Sequence, residues 1–140
     1  MFLLDIKNKK MKKIFLNKRG FINKDYIGEA INSVGTFNEV EQVLNALEDP
    51  KSLTKKQKRQ LVGKFISLST SYEEASQIEN YVRILDCSLT DEERCRLIMK
   101  LVKVSTTKYQ MKEIKNYARF NGLLNRYMKE LFRKDMTGLN

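Results

Sequence analysis

The chain of 140 residues has no histidine, no tryptophan, one proline, two cysteines and six glycines. Each scarcity excludes something. Without histidine the commonest general base and metal ligand at neutral pH is missing. The glycines stand apart at 20, 28, 35, 63, 122 and 138, so no glycine-rich phosphate loop can be written. Cys87 and Cys95 form neither a CxxC pair nor a disulfide framework, which fits a reducing compartment. With no other soft ligand they do not make a zinc site. No apolar run approaches the roughly 18 residues of a membrane span. The opening MFLLDIKNKKMKKIFL puts apolar before basic residues, the reverse of a secretory signal, and lacks a small-residue cleavage site. The expectation is a cytoplasmic, non-enzymatic protein with no membrane association, no cofactor and no metal.

What the chain does have is an internal duplication. Residues 52–87 and 88–123 match at a fixed offset of 36, with eleven identities. These are Ser52/Ser88, Leu53/Leu89, Thr54/Thr90, Leu61/Leu97, Lys64/Lys100, Ser69/Ser105, Thr70/Thr106, Ile78/Ile114, Asn80/Asn116, Tyr81/Tyr117 and Arg83/Arg119. A period in this range is the signature of stacked helical hairpins.

Helix starts recur in step with it. A Ser or Thr followed three residues later by Glu or Gln forms a capping box, in which hydroxyl and acid or amide satisfy amides reciprocally. The pattern stands at Thr36/Glu39, Thr54/Gln57, Ser71/Glu74, Thr90/Glu93 and Thr107/Gln110. The apolar positions agree. First helices of the hairpins read Ile27-Ile31-Val34, Leu61-Phe65-Leu68 and Leu97-Leu101-Val104. Second helices read Val40-Val43-Leu47, Ala75-Ile78-Val82 and Met111-Ile114-Ala118. Each set lies on one face of a 3.6-residue helix. Val62, Ile66, Ile98 and Val102 widen two of the stripes, so those helices should lie deepest. Leu124, Met128, Leu131 and Phe132 mark a closing helix, and Pro50 separates the first hairpin from the second.

The fold expected is all-α: three tandem hairpins with a repeat of about 36 residues and a C-terminal capping helix. Either an open superhelix or a compact bundle satisfies the pattern. Residues 23–140 form the helical-repeat domain. Residues 1–22 are read as a basic arm, frayed or shortly helical, because no second strand exists to pair with it. Over residues 23–123 the layout resembles tetratricopeptide and pentatricopeptide arrays. The segments Tyr72-Glu73-Glu74-Ala75 and Leu47-Glu48-Asp49-Pro50 are similar to parts of such repeats. The glycine and aromatic positions that define a tetratricopeptide are absent, so no binding residue is carried over.

The formal net charge of +10 is unevenly spread. Residues 1–23 carry seven Lys/Arg against one Asp, with a cluster at Lys7, Lys9, Lys10, Lys12 and Lys13; residues 24–50 carry one Lys against six acids. Lysine far outnumbers arginine, and Asn and Ile are plentiful, as an AT-rich genome alone would produce. Some basic groups are nevertheless patterned. Arg96, Lys100 and Lys103 recur at i, i+4, i+7. Lys108, Lys112, Lys115 and Arg119 continue to i+11, and Arg126, Lys129 and Arg133 extend the series. The previous repeat has Tyr72, Ser76, Glu79 and Arg83 where the second stripe falls, so the repeat does not demand it. Lys51, Lys55, Lys56, Lys58 and Arg59 crowd a helix start, where the dipole disfavours cations. Like charges at i, i+4 cost a few tenths of a kcal/mol per pair. Both clusters are locally unfavourable, which points to an acidic ligand.

Other constellations have plainer explanations. Asp91, Glu92 and Glu93 sit in a first helical turn, where the dipole favours acids. Cys95, between Arg94 and Arg96, aligns with Arg59 and reads as a half-buried small side chain. Asn80-Tyr81 and Asn116-Tyr117 read as stacking residues, with Asn bonding the neighbouring hairpin and Tyr closing the seam. The function expected is an interaction protein, accessory or regulatory, in an AT-rich bacterium, phage or mobile element. Its ligand is expected to be a protein with an acidic surface, bound through Arg96, Lys100, Lys103, Lys108, Lys112, Lys115 and Arg119, with Lys55, Lys58 and Arg59. The alternative is DNA or RNA on the basic faces of the C-terminal helices.

Overall fold

The structure is a computed structural model that describes residues 16–123, 125, 128–130 and 132. Its α-helices are α1 (Ile27–Ser33), α2 (Phe37–Asn45), α3 (Lys55–Leu68), α4 (Tyr72–Ser76), α5 (Ile78–Ile84), α6 (Asp91–Val104) and α7 (Lys108–Phe120). Short 3-10 turns occupy Lys24–Tyr26 and Pro50–Ser52. The protein is all-α.

All five expected caps form, in two geometries. At Thr54 and Thr90 the box is reciprocal: the Thr oxygen accepts from the third amide, and Gln57 or Glu93 accepts from the cap amide. At Thr36, Ser71 and Thr107 the backbone is more extended, with φ of −137°, −139° and −134°. There the acid or amide reaches one residue further back. Glu39 accepts from Gly35 N–H, Glu74 from Thr70 N–H and Gln110 from Thr106 N–H. The second form closes the tight turn inside a hairpin, where the chain reverses within a few residues.

The expected fourth helix is interrupted. α4 ends at Ser76 and α5 begins at Ile78, with Gln77 between them still in the right-handed helical region. The ladder tightens there: Gln77 N–H donates to the Glu74 carbonyl and Asn80 N–H to the Gln77 carbonyl, both i to i−3. The Ser76 hydroxyl donates to the Tyr72 carbonyl at 2.7 Å, a back-bond that competes for a helical acceptor and bends helices. The aligned position in α7 is Lys112, which has no such competing hydroxyl, and α7 runs unbroken.

Packing follows the apolar stripes. α3 touches α1, α2, α5 and α6, and α6 touches α3, α4 and α7. These two most enclosed helices carry the widest stripes. Leu61, Val62, Phe65 and Ile66 are buried on α3, and Leu97, Ile98, Leu101 and Val102 on α6. Burying such a side chain stabilises the fold by about 1.5–3 kcal/mol. Met128 and Phe132, expected on the closing helix, are buried in the same core. Leu124, Leu131, Arg126 and Arg133 lie outside the described residues, as do Lys7, Lys9, Lys10, Lys12, Lys13, Ile14 and Phe15.

Residues 16–22, expected within the arm, are tied to the helices. Leu16 and Ile22 form an isolated antiparallel bridge across a turn whose Gly20 has φ +84°. The segment turns back on itself at this single bridge, and no strand forms among the described residues. Ile22 is buried and its N–H donates to the Ala46 carbonyl at 2.8 Å. The hairpin thereby joins the end of α2.

Candidate functional site

Polar contacts between successive helices decide which charged side chains remain available. Arg59 on α3 is ion-paired with Glu93 on α6, and its second guanidinium nitrogen donates to the Ser88 carbonyl at 2.9 Å. Glu93 is only 4% exposed, and its oxygen also accepts the Thr90 amide at 2.8 Å. At the other end of the same pair of helices, Lys100 Nζ donates to the carbonyls of Ser67 and Ser69, 3.0 and 3.2 Å away. A cation there meets the negative end of the α3 dipole. Because the early residues of α3 meet the early residues of α6, and late meet late, the two helices run in the same direction.

A second seam joins the other helices. Tyr81 on α5 donates its hydroxyl to Glu41 on α2, and Tyr117 on α7 donates to Glu79 on α5. Tyr81 also stacks on Phe65, with ring centroids 4.5 Å apart, and leans on Phe37. The two tyrosines therefore close inter-helix seams as expected. Asn80 departs from expectation: it bonds Gln77 and Arg83 within its own stretch, not the neighbouring hairpin. It sits on the exposed side of α5, turned away from the seam. Burial, followed by the hydrogen bond to the carboxylate, raises the pKa of both Tyr81 and Tyr117 above the ordinary tyrosine value. Burial also raises that of Tyr72, with the nearby Glu113 charge second.

Two of the three acids at the start of α6 have structural partners. Asp91 pairs with Arg94 at 3.3 Å, and Glu93 serves the cap and Arg59. Cys95 is half-buried against the core. Among the described residues no group of three or more acids or cysteines could hold a metal ion, and no helix is long and apolar enough to cross a membrane.

The basic candidates therefore divide. Arg59 and Lys100 are engaged inside the fold. Arg96 and Lys103 are exposed on either side of Lys100, and Lys55 is exposed with Lys58 half-buried beside it. On α7, Lys108, Lys112 and Arg119 are exposed and Lys115 is half-buried. At 3.6 residues per turn these four run along one shoulder of the helix, while Met111, Ile114 and Ala118 face the core. The outward crest beside that shoulder carries Tyr109, Glu113, Asn116 and Phe120. Tyr109 is 71% exposed and Phe120 91%. They are three turns apart, about 16 Å along the axis. Phe120 was not singled out from the sequence. The signal was present, since Phe120 lies eleven residues after Tyr109 on the face opposite Ala118.

No family model matches the chain, and neither a curated protein nor a solved structure matches it.

Proposed function

We propose that the chain is a non-enzymatic interaction protein, accessory or regulatory, that binds an acidic protein partner through α7. The observation that carries this reading is the α7 surface itself. A shoulder of four cations flanks a crest with two largely exposed aromatic rings, and none of the four makes an ion pair among the described residues. Arg19, Arg59, Arg94 and Lys100, by contrast, have partners within the fold. Aromatic and arginine side chains are the usual anchors of protein interfaces, and a cationic shoulder steers an acidic surface into register.

A second reading, single-stranded nucleic acid, has one observation in its favour. Exposed rings beside a basic stripe can stack bases while cations track the phosphates. Replacing Lys108, Lys112 and Arg119 together by Gln separates the two. A protein partner purified after nuclease treatment should lose affinity for this variant, mainly through its association rate, while oligonucleotides bind neither form appreciably. If oligonucleotides instead bind the wild type with a salt slope that drops by about 2–3 units in the variant, the second reading replaces the first. A variant that changes neither measurement removes α7 from both.

A further inference from the structure

The tyrosine seam has a direction. On α5, Tyr81 reaches back to Glu41 of α2, while Glu79 reaches forward to receive Tyr117 of α7. These two residues are two positions apart, about 200° around the helix, so they serve opposite sides of it. α7 keeps only half of this arrangement. Tyr117 reaches back, and two positions before it, where α5 has its acceptor, stands Lys115. Lys108, Lys112 and Arg119 share the side of Lys115, away from Tyr117. None of these four side chains has a polar partner among the described residues. Glu113 stands on the crest instead, and its charge reaches Tyr72 on α4, towards the preceding hairpin. The cationic shoulder is therefore the forward edge of α7, the side that α2 and α5 each offer to the next helix. Here it is open, and its central group has changed from acceptor to donor.

From this we infer that the acidic partner presents an α-helix that stacks on the forward edge of α7 as α7 stacks on α5, with a carboxylate where the earlier seams have Tyr81 and Tyr117. The inference rests on reading α7 as the docking face, and it names which side of α7 and which element of the partner meet. The fold itself shows what such an edge receives: a helix laid alongside, joined by one side chain at that position. A lysine at the centre needs an acceptor opposite. The flanking cations, spread over about 16 Å of helix, need further carboxylates at the same spacing of three and four residues. A phosphate backbone would also meet the cations, but it brings no side chain into the seam beside half-buried Lys115. A second copy of this chain is disfavoured, since each carries a net charge of +10. Tyr109 and Phe120 then stand at the rim of the contact, not at its centre.

Two labelled synthetic helices of about 20 residues test this, both alanine-rich and identical in composition. The striped one carries Glu at i, i+4, i+7 and i+11, and the scattered one spreads the same Glu residues around the helix. Fluorescence anisotropy with the full chain at about 0.1 M salt should show the striped helix binding at least about tenfold tighter. Lys115→Glu, which restores the acceptor that α5 has at Glu79, should weaken the striped helix by about tenfold or more, and Lys115→Gln by less. Both variants should keep the helical circular dichroism of the wild type. A striped helix with Tyr at i+7 should recover what Lys115→Glu loses, because it recreates the Tyr117 to Glu79 pair. Equal affinity for the two helices overturns the inference, as does binding that Lys115→Glu leaves unchanged, or no binding of either. So does an oligothymidylate of about 15 nucleotides that binds the wild type more tightly than the striped helix and is weakened by Lys115→Glu, which gives the edge to nucleic acid. If both helices bind equally and replacing Lys108, Lys112 and Arg119 by Gln weakens both alike, the acidic-partner reading of α7 stands while the stacked helix falls. If that triple variant weakens neither, both fall.

Discussion

Asp86 and Gly122, 36 residues apart, hold the same left-handed conformation at the ends of α5 and α7, with φ of +52° and +71°. In both cases the residue's own amide and the one after it turn back on the helix. Asp86 N–H donates to Arg83 and Cys87 N–H to Val82; Gly122 N–H donates to Arg119 and Leu123 N–H to Ala118. This is the paired C-terminal cap in which glycine normally sits, because a Cβ is strained there. α7 ends on the favoured residue and α5 does not.

Asp86→Gly should therefore stabilise the protein by about 0.5–1 kcal/mol, since aspartate tolerates this region better than most residues yet less well than glycine. The reverse change, Gly122→Asp, should destabilise by a similar amount. Urea denaturation of both variants measures this, and equal midpoints for Asp86→Gly and wild type would show that the left-handed Asp86 carries no strain.

Leu97 on α6 is buried between helices and 1% exposed. Leu97→Ala should cost about 2–5 kcal/mol through the lost transfer energy and the cavity left behind. An unfolding midpoint close to that of the wild type would mean that α6 is not the enclosed helix described above.

The Arg59–Glu93 pair should respond unequally to its two halves. Glu93→Gln keeps an acceptor for the Thr90 amide, as Gln57 does at Thr54, and leaves a guanidinium that is partly in water. It should cost about 0.5–1.5 kcal/mol. Arg59→Met strands a buried carboxylate and should cost more, about 1–3 kcal/mol. Thermal melts at neutral pH distinguish them, and a larger loss from Glu93→Gln would reverse the argument.

Tyr81 and Tyr117 hold their protons more tightly in the fold than ordinary tyrosines do, chiefly because they are buried. In the unfolded chain a phenol deprotonates near pH 10. The contribution is therefore complete below about pH 10 and is lost as pH rises from there through the raised folded values. Stability measured from pH 8 to 11 should fall more steeply for the wild type than for the Tyr81→Phe, Tyr117→Phe double variant. Parallel slopes would show that neither phenol is held this way.

The readings that survived from sequence to structure are those written in local chemistry. A cap joins residues three apart, and a helical face repeats every 3.6 residues, so the Thr36, Thr54, Ser71, Thr90 and Thr107 starts were legible. So was the burial of Leu61, Phe65, Ile78, Leu97, Leu101 and Ile114. The break at Gln77 was harder to see. Its cause, the Ser76 back-bond, is one of two conformations open to a serine, and propensity does not choose between them. The basic stripe was legible as a spacing and not as a surface. Lys100 and Arg96 look alike in sequence, yet only Lys100 lies against the carbonyl end of α3.

By itself, then, the sequence determined that this chain is helical, where its five capped helices begin and which face of each turns inward, because every one of those choices is settled within a turn or two of chain. Tertiary structure alone decided which charges are spent and which are free. Arg59 finds Glu93 across 34 residues and Lys100 finds the Ser67 carbonyl across 33, whereas the crest of α7 faces solvent with Tyr109 and Phe120 uncovered. Availability depends on what packs opposite, and no stretch of local sequence contains its own opposite side.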